Sequence, residues 1–468
     1  MDENHWFPES LENAMPVYLA IVEALENDIL SGRLKAGQKL PPQRQLAAKL
    51  NVNLTTISRA YKQAQKRELI DSRVGQGSFI RIHDVHNDGR ENPFKRPSIK
   101  EIDMGMNIPP IPNDQKLIAR MKREMAEAVR NIATQSIFGY HDFIGSLDER
   151  TRAARWLSKR YAPAHADTLM IAPGTQSLLL ALLPHLIKPG KTICCEHLTY
   201  PGFKSLCQRF NISVRGLQLD EDGICPQDFK RACEQGDVRA LYCTPTMHNP
   251  TSLTWSVPRR KEIAEIARLY DVSIIEDDPY GMLPTSSAAP LSSYAPERSF
   301  YIFGLSKCLS SALRVAFLCV PNQETFAPLS MALRSTAMMV SPMTRAMALH
   351  LIDSGLADDM VNAIRTEAQA RQVLLKSILP EHCYTSDPDG FHVWLKLPDH
   401  ANIHHFIGEL RSRSIKVVPA EIFSVVEDNP NAVRVCLGVA ESTTQCRFAL
   451  QTIHDVMTLH SNDEQAFV

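Results

Sequence analysis

The sequence predicts an α/β protein in two unequal modules: a small basic head of short helices and a hairpin, then a large domain on a mostly parallel β-sheet. Three observations predict it. Charge is spread unevenly, apolar β-type runs alternate with helical stretches beyond residue 103, and four of those runs end in side chains suited to chemistry. The 468 residues hold 51 Lys+Arg, 52 Asp+Glu and a net charge of −1, yet these totals conceal the head. Residues 1–30 carry seven acids and no Lys or Arg, whereas residues 31–82 carry eleven Lys or Arg against only Glu68 and Asp71, a local balance of +9. A hydrophobic content of 44% excludes a mainly disordered chain, and at ~100–200 residues per domain the length implies two to four domains. The longest apolar run, Ser177 to Ile187, is broken by Pro184 and His185 and falls short of the ~18 residues of a membrane span. The acidic N-terminus lacks the order of a signal peptide, so a cytoplasmic protein with no membrane partner is expected. All 11 cysteines lie between Cys194 and Cys446 without paired CxxC units, which implies reduced thiols and no metal site.

In the head, residues 14–82, Pro16 suits a first helical turn, and Leu19, Ile21, Val22, Leu25, Ile29 and Leu30 follow near helical spacing until Gly32. After the turn-rich GRLKAGQKLPP, Leu46, Ala47 and Leu50 make a short second helix ending near Asn51. Asn53 can cap a third, whose apolar positions are Ile57, Ala60, Tyr61 and Ala64. Two short helices joined by a tight turn predict a helix-turn-helix, and LIDSRVGQGSFIRI, punctuated by Gly75 and Gly77, predicts a hairpin or wing behind it. Such a recognition helix presents N-terminal residues to base edges in the major groove while flanking cations hold phosphates. Thr55, Thr56 and Arg59 suit the first role; Arg44, Lys49, Lys62 and Arg73 suit the second. Any one of these cations could simply solubilise a helix surface, but two acids among thirteen charges beside a wing favour double-stranded DNA as a partner.

The run from Gly32 to Ile80 resembles the winged helix of the GntR transcription regulators over nearly its whole length. The resemblance implies that Arg44, Thr55, Thr56, Arg59 and the wing glycine Gly77 face DNA. Many members carry arginine just before the threonine pair, where this sequence has Leu54.

Residues 83–102 are polar, with two prolines and no apolar period, and read as an exposed tether. Beyond it TLMIAP, KTICCE, VRALYCTPT, VSIIEDDP and SFYIFGLSK alternate with SLLLALLPHLI, FKSLCQRF and RKEIAEIARLY, which predicts βαβ units and a sheet covered on both faces. Ligands of such sheets bind at the carboxyl ends of the strands. There, Thr175 and Gln176 open a helix able to hold an anion, and Asn249 sits in a proline-fixed turn. Glu276, Asp277 and Asp278 end a buried strand, where their mutual repulsion calls for a bound cation or protonated base. Lys307 follows Ser306 at another strand end, where burial would lower its pKa and make it a nucleophile. Taken singly, a cap, a turn, a capping cluster and a solvated lysine account for them better, since those are the usual roles of such residues.

In this order they resemble a fold-type-I aminotransferase, a pyridoxal-phosphate protein, over about residues 103–455. The resemblance implies a smaller C-terminal α+β subdomain, roughly residues 345–455. It implies pyridoxal 5'-phosphate bound through a Schiff base to Lys307, Asp277 pairing the pyridine nitrogen, and Tyr280 and Asn249 on the phenolic oxygen. Thr175, Gln176, Ser306 and Arg314 would hold the phosphate, Tyr200 would stack on the ring, and Tyr140 would reach the phosphate of the other subunit. Arg434 would clamp a substrate α-carboxylate. Three positions depart from the family pattern: Gly304 replaces the first serine of SxSK, Ser252 the glycine of NPTG, and Asp389 one of two small-domain glycines. A GntR-type head on an aminotransferase-like domain is the MocR arrangement, which implies a transcription regulator sensing an amino compound and assembling as a head-to-tail homodimer. Two other readings stay open at this point: a working aminotransferase of 2-amino acids carrying a DNA-binding head, and a regulator without cofactor.

Overall fold

Apolar residues at helical spacing behind Pro16 form α1 (Val17–Leu30), which buries Ile21, Val22 and Leu25. The structure, a computed structural model, describes residues 6–8, 16–30, 33–34, 37–66, 69–73, 77–80, 101–286 and 288–462. It divides into two compact units between Pro97 and Ser98. In the first, α2 (Gln43–Leu50) stops because Asn51 turns left-handed at φ 53°, a conformation that asparagine tolerates, and its N–H returns to the last helical carbonyls. Asn53 then starts α3 (Leu54–Lys66), its Oδ1 accepting the Thr55 N–H at 3.0 Å. β1 (Ile70–Arg73) and β2 (Gly77–Ile80) pair antiparallel, Ile70 opposite Ile80. Leu25, Leu46, Ile57, Tyr61, Ile70 and Ile80 close one core, in which the Tyr61 hydroxyl donates to the Pro41 carbonyl at 2.7 Å.

The second unit begins with β3 (Ile102–Asp103) and continues through β4 (Leu169–Ala172), β5 (Thr192–Glu196), β6 (Ser213–Leu217), the small hairpin β7 (Leu219–Asp220) and β8 (Gly223–Ile224), β9 (Val238–Cys243), β10 (Ser273–Asp277), β11 (Ser299–Gly304) and β12 (Ala316–Cys319). Seven of these form one sheet in the order β4-β12-β11-β10-β9-β5-β6, in which only β12 runs antiparallel to its neighbours. Alternate residues enter different cores: Tyr301, Phe303 and Phe317 pack on one face, Phe300, Ile302 and Leu318 on the other. Burial on both faces is why these strands read as continuous apolar runs rather than alternating ones.

A second sheet, of β13 (Tyr384–Ser386), β14 (His392–Lys396), β16 (Val418–Pro419) and β17 (Ala432–Cys436), is antiparallel, with β14 and β17 central. β15 (Ile415–Lys416) pairs parallel with β3.

Two expected boundaries move. Ile102, assigned to the tether, pairs with Ile415 and is 5% exposed, because an isolated isoleucine and Met104 complete the small subdomain's core from outside it. The tether's other residues up to 100 lie outside the described residues. The small subdomain does not gather its own core from residue 345. The 23-residue helix Leu356–Ile378, about 35 Å long, exceeds what one core can cover. Its first half, Leu356 to Ala368, packs in the large core, and only Leu374 and Leu375 onward enter the small one.

Candidate functional site

The cavity between these two sheets arises where β9, β10 and β11 end. It has a volume of about 480 Å³, and Thr175, Gln176, Tyr200, Asn249, Asp277, Tyr280, Ser306, Lys307, Arg314 and Arg434 all line it. Tyr140 does not. It is 78% exposed and belongs to a separate polar depression with Ser136, His141 and Arg345.

Period-two alternation sorts the three adjacent carboxylates at the end of β10. Glu276 accepts the N–H groups of Leu291 and Ser292 at 3.0 and 2.6 Å, and Asp278 accepts from Arg160 Nε and the Tyr301 hydroxyl, both at 2.8 Å. Asp277 alone lines the cavity, its Oδ2 accepting the Tyr242 hydroxyl at 3.0 Å. The repulsion anticipated from sequence is therefore answered for Glu276 and Asp278 by backbone amides and Arg160. Asp277 Oδ1 is buried and has no hydrogen-bond partner among the described residues. Burial, with Asp278 adding to it, pushes the Asp277 carboxyl up to about 7.

Lys307 follows β11 into the cavity and donates to the Asn107 carbonyl. Burial pushes its ammonium down to about 8, Arg434 and Arg314 act in the same direction, and Cys436 and Asp277 oppose them. With its ammonium lowered to about 8, about a tenth of it is free amine at pH 7, far more than for an ordinary lysine, which makes it a competent nucleophile.

The helix Thr175–Leu186 points its N-terminus at the cavity, with Arg314 beside Gly174, where an added Cβ would lie 3.1 Å from the guanidinium. Amide groups, dipole and guanidinium make an anion site. Gly304 fits here because a Cβ on it would come within 2.9 Å of Thr175 Oγ1, so the threonine hydroxyl takes up the space of the serine missing from SxSK. Opposite, Arg434 of β17 is 6% exposed. It donates to Asn249 Oδ1 at 2.7 Å and to the Gly105 carbonyl at 2.6 Å, its guanidinium carbon 4.8 Å from the Phe423 ring centre.

Sequence reasoning missed Asn107, whose Nδ2 donates to the Tyr280 hydroxyl at 2.7 Å, together with Tyr242 and Phe423. Tyr242 lies inside an apolar strand and Phe423 in a loop, and no periodicity marks Asn107. Only the proximity of Asn107 to the pattern change near residue 103 could have drawn attention to it.

In the head, Arg44, Thr55, Arg59 and Gly77 are exposed and Thr56 is half-buried. The guanidinium of the exposed Arg59 lies 4.2 Å from the ring centre of Tyr18 in α1. Leu54 is 41% exposed beside the threonine pair, and the side chain of Arg73 lies outside the described residues.

Fold and cavity together define an aminotransferase-like protein with a helix-turn-helix head. Residues 99–453 match the family described as Aminotransferase class I and II, and residues 17–80 that described as Bacterial regulatory proteins, gntR family. The chain belongs to the aminotransferase class I and II family, with a gntR-family head in the MocR arrangement. It is 31% identical over 97% of its length to the Uncharacterized HTH-type transcriptional regulator YdeF of Bacillus subtilis (strain 168), covering 96% of that protein. It is 26% identical to the Vitamin B6 salvage pathway transcriptional repressor PtsJ of Salmonella typhimurium, over 82% of this chain and 86% of the repressor. Among solved structures, the multiple substrate aminotransferase of Thermococcus profundus superposes with a TM-score of 0.69 at 21% identity, over 78% of this chain and 93% of that one, a likeness of fold. Among the described residues no helix is long and apolar enough to cross a membrane.

Proposed function

We propose that this protein is a transcription regulator that binds double-stranded DNA through residues 14–82 and, through residues 103–455, binds pyridoxal 5'-phosphate and an amino compound. The observation that carries the cofactor reading is the unpartnered Oδ1 of Asp277 in the same cavity as the Lys307 amine and the helix-end anion site. A protonated ring nitrogen satisfies the first and a phosphate the last. Bound there, the cofactor supplies a carbonyl carbon for amines and a ring that withdraws electrons.

The chain's residues do the rest. Thr175, Gln176, Ser306 and Arg314 hold the phosphate. Tyr200 covers a ring face, and Tyr280 and Asn249 hold the phenolic oxygen. Lys307, deprotonated in part by burial, provides the nitrogen that carries the cofactor, and Arg434 binds the carboxylate of the amino compound. In the head, Arg44, Thr55, Thr56, Arg59 and Gly77 meet DNA. The exposed Tyr140 suits a homodimer in which it reaches the partner's site, and a DNA-binding protein of this kind works in the cytoplasm.

Loaded protein is expected to absorb in the visible, and Lys307→Ala to lose that band; an unchanged spectrum would reject Lys307 as the attachment point. A working aminotransferase is favoured by Lys307, Asp277 and Arg434 meeting in one cavity. Multiple turnovers with a keto-acid acceptor would establish it, whereas a spectral change with an altered DNA footprint and no turnover supports regulation.

A further inference from the structure

The wall around the carboxylate anchor has its own chemistry. Arg434 spends its two terminal nitrogens on neutral partners, the Asn249 amide oxygen and the Gly105 carbonyl, and its buried Nε has no hydrogen-bond partner among the described residues. A carboxylate taking over from the carbonyl gains a charge-assisted, fork-shaped contact. Whatever is attached to that carboxylate's α-carbon then lies beside Phe423, 4.8 Å from the guanidinium and itself only 1% exposed. Ile422, Val418, Met106 and Ile108 continue the same wall.

Arg434 is the charged group that lies against Phe423. Among the described residues lining the cavity the charged ones are Asp277, Lys307, Arg314 and Arg434. Asp277 is held by Tyr242, and Arg314 stands against Gly174 at the anion site. Among the described residues lining the cavity beside Phe423, a second carboxylate on the ligand would find no cation besides Arg434, and a second ammonium no acid. Either would lose water without recovering a partner.

We infer that the amino compound is an α-amino acid with an uncharged, largely apolar side chain, and that Phe423 and Ile422 set this preference. The inference rests on the reading of the cavity as a cofactor and amino-compound site. Ile422 is 47% exposed, so a longer polar side chain can replace it without disturbing a core.

The test titrates the cofactor-loaded full-length protein with L-leucine, L-phenylalanine, L-glutamate, L-lysine and 3-methylbutylamine, which is leucine without its carboxylate. Visible absorbance and thermal shift are both read. L-Leucine and L-phenylalanine are expected to act at concentrations ~10-fold or more below the other three, the order of discrimination that leaving one polar group unsatisfied imposes. Ile422→Lys is expected to narrow the gap for L-glutamate and leave L-lysine behind, with Ile422→Gln as the uncharged control. L-Glutamate or L-lysine acting as well as L-leucine would overturn the side-chain class while leaving amine sensing intact. Equal potency of 3-methylbutylamine would remove Arg434 as the anchor. Silence from all five in protein that retains its cofactor would overturn both the class and the reading beneath it. Ile422→Lys without any gain for L-glutamate would remove Ile422 from the wall.

Discussion

Asp277 shows how one residue acquires a role its neighbours lack. Glu276, Asp277 and Asp278 are consecutive acids, indistinguishable in composition, yet only the middle one faces the cavity, because the side chains of a strand alternate. Its carboxyl, pushed from 3.8 up to about 7 by burial, keeps a proton in the folded chain that the unfolded chain has already released. Between those values the native state binds more protons, so this group removes stability as pH rises through the window and no more above it. In cofactor-free protein the stability of the wild type relative to Asp277→Asn is therefore expected to fall from about pH 4 to about pH 7 and then level. Urea midpoints of both proteins across that range check it, and a pH-independent difference would show that the carboxyl is not buried as described. Alternation along β10 was readable in the sequence, but which face would carry the cavity was not.

At the scale of elements, the strap from Ile102 to Ile108 matters most. It pairs with β15 through Ile102, buries Met104, and reaches Arg434 through the Gly105 carbonyl and Tyr280 through Asn107. No periodicity announces it, because each contact is made with residues more than 170 positions away. Asn107→Ala is expected to leave the buried Tyr280 hydroxyl without this donor and to destabilise the large domain by about 1–3 kcal/mol, read from its denaturant midpoint. The head's elements were more legible, since Pro16, Asn51 and Asn53 punctuate them locally. Arg44, exposed near the start of α2, is expected to act on phosphate. Arg44→Ala should weaken DNA binding about equally across sequences and reduce the slope of log affinity against log salt by ~1. A loss confined to one sequence would instead make it a base reader.

For the whole molecule, the two units have separate cores. The head's buried cluster draws only on residues 6–80, and the clusters of the large unit begin at Ile102. Each unit can therefore unfold in its own transition. Cofactor at ~100 times its dissociation constant is expected to raise the large unit's stability by about 2.7 kcal/mol and to leave the head's unfolding transition where it was, by calorimetry. Movement of both transitions together would reveal an energetic coupling between the units.

The sequence by itself determined the two-module plan, the position of the basic head within a chain of net charge −1, the helix-turn-helix with its wing, and the strand-and-helix alternation of the large domain. These follow from local chemistry: caps, turn residues, periodicity and the distribution of charge. Tertiary structure alone decided that β12 runs antiparallel and that one long helix serves two cores. It also decided that Ile102 joins the small subdomain's core, that Asn107 lines the cavity, and that Arg59 lies on Tyr18. Each of these depends on which distant segment is available to cover an apolar face or pair a polar atom, and that is settled only when the sheet, the helices and the strap are packed together.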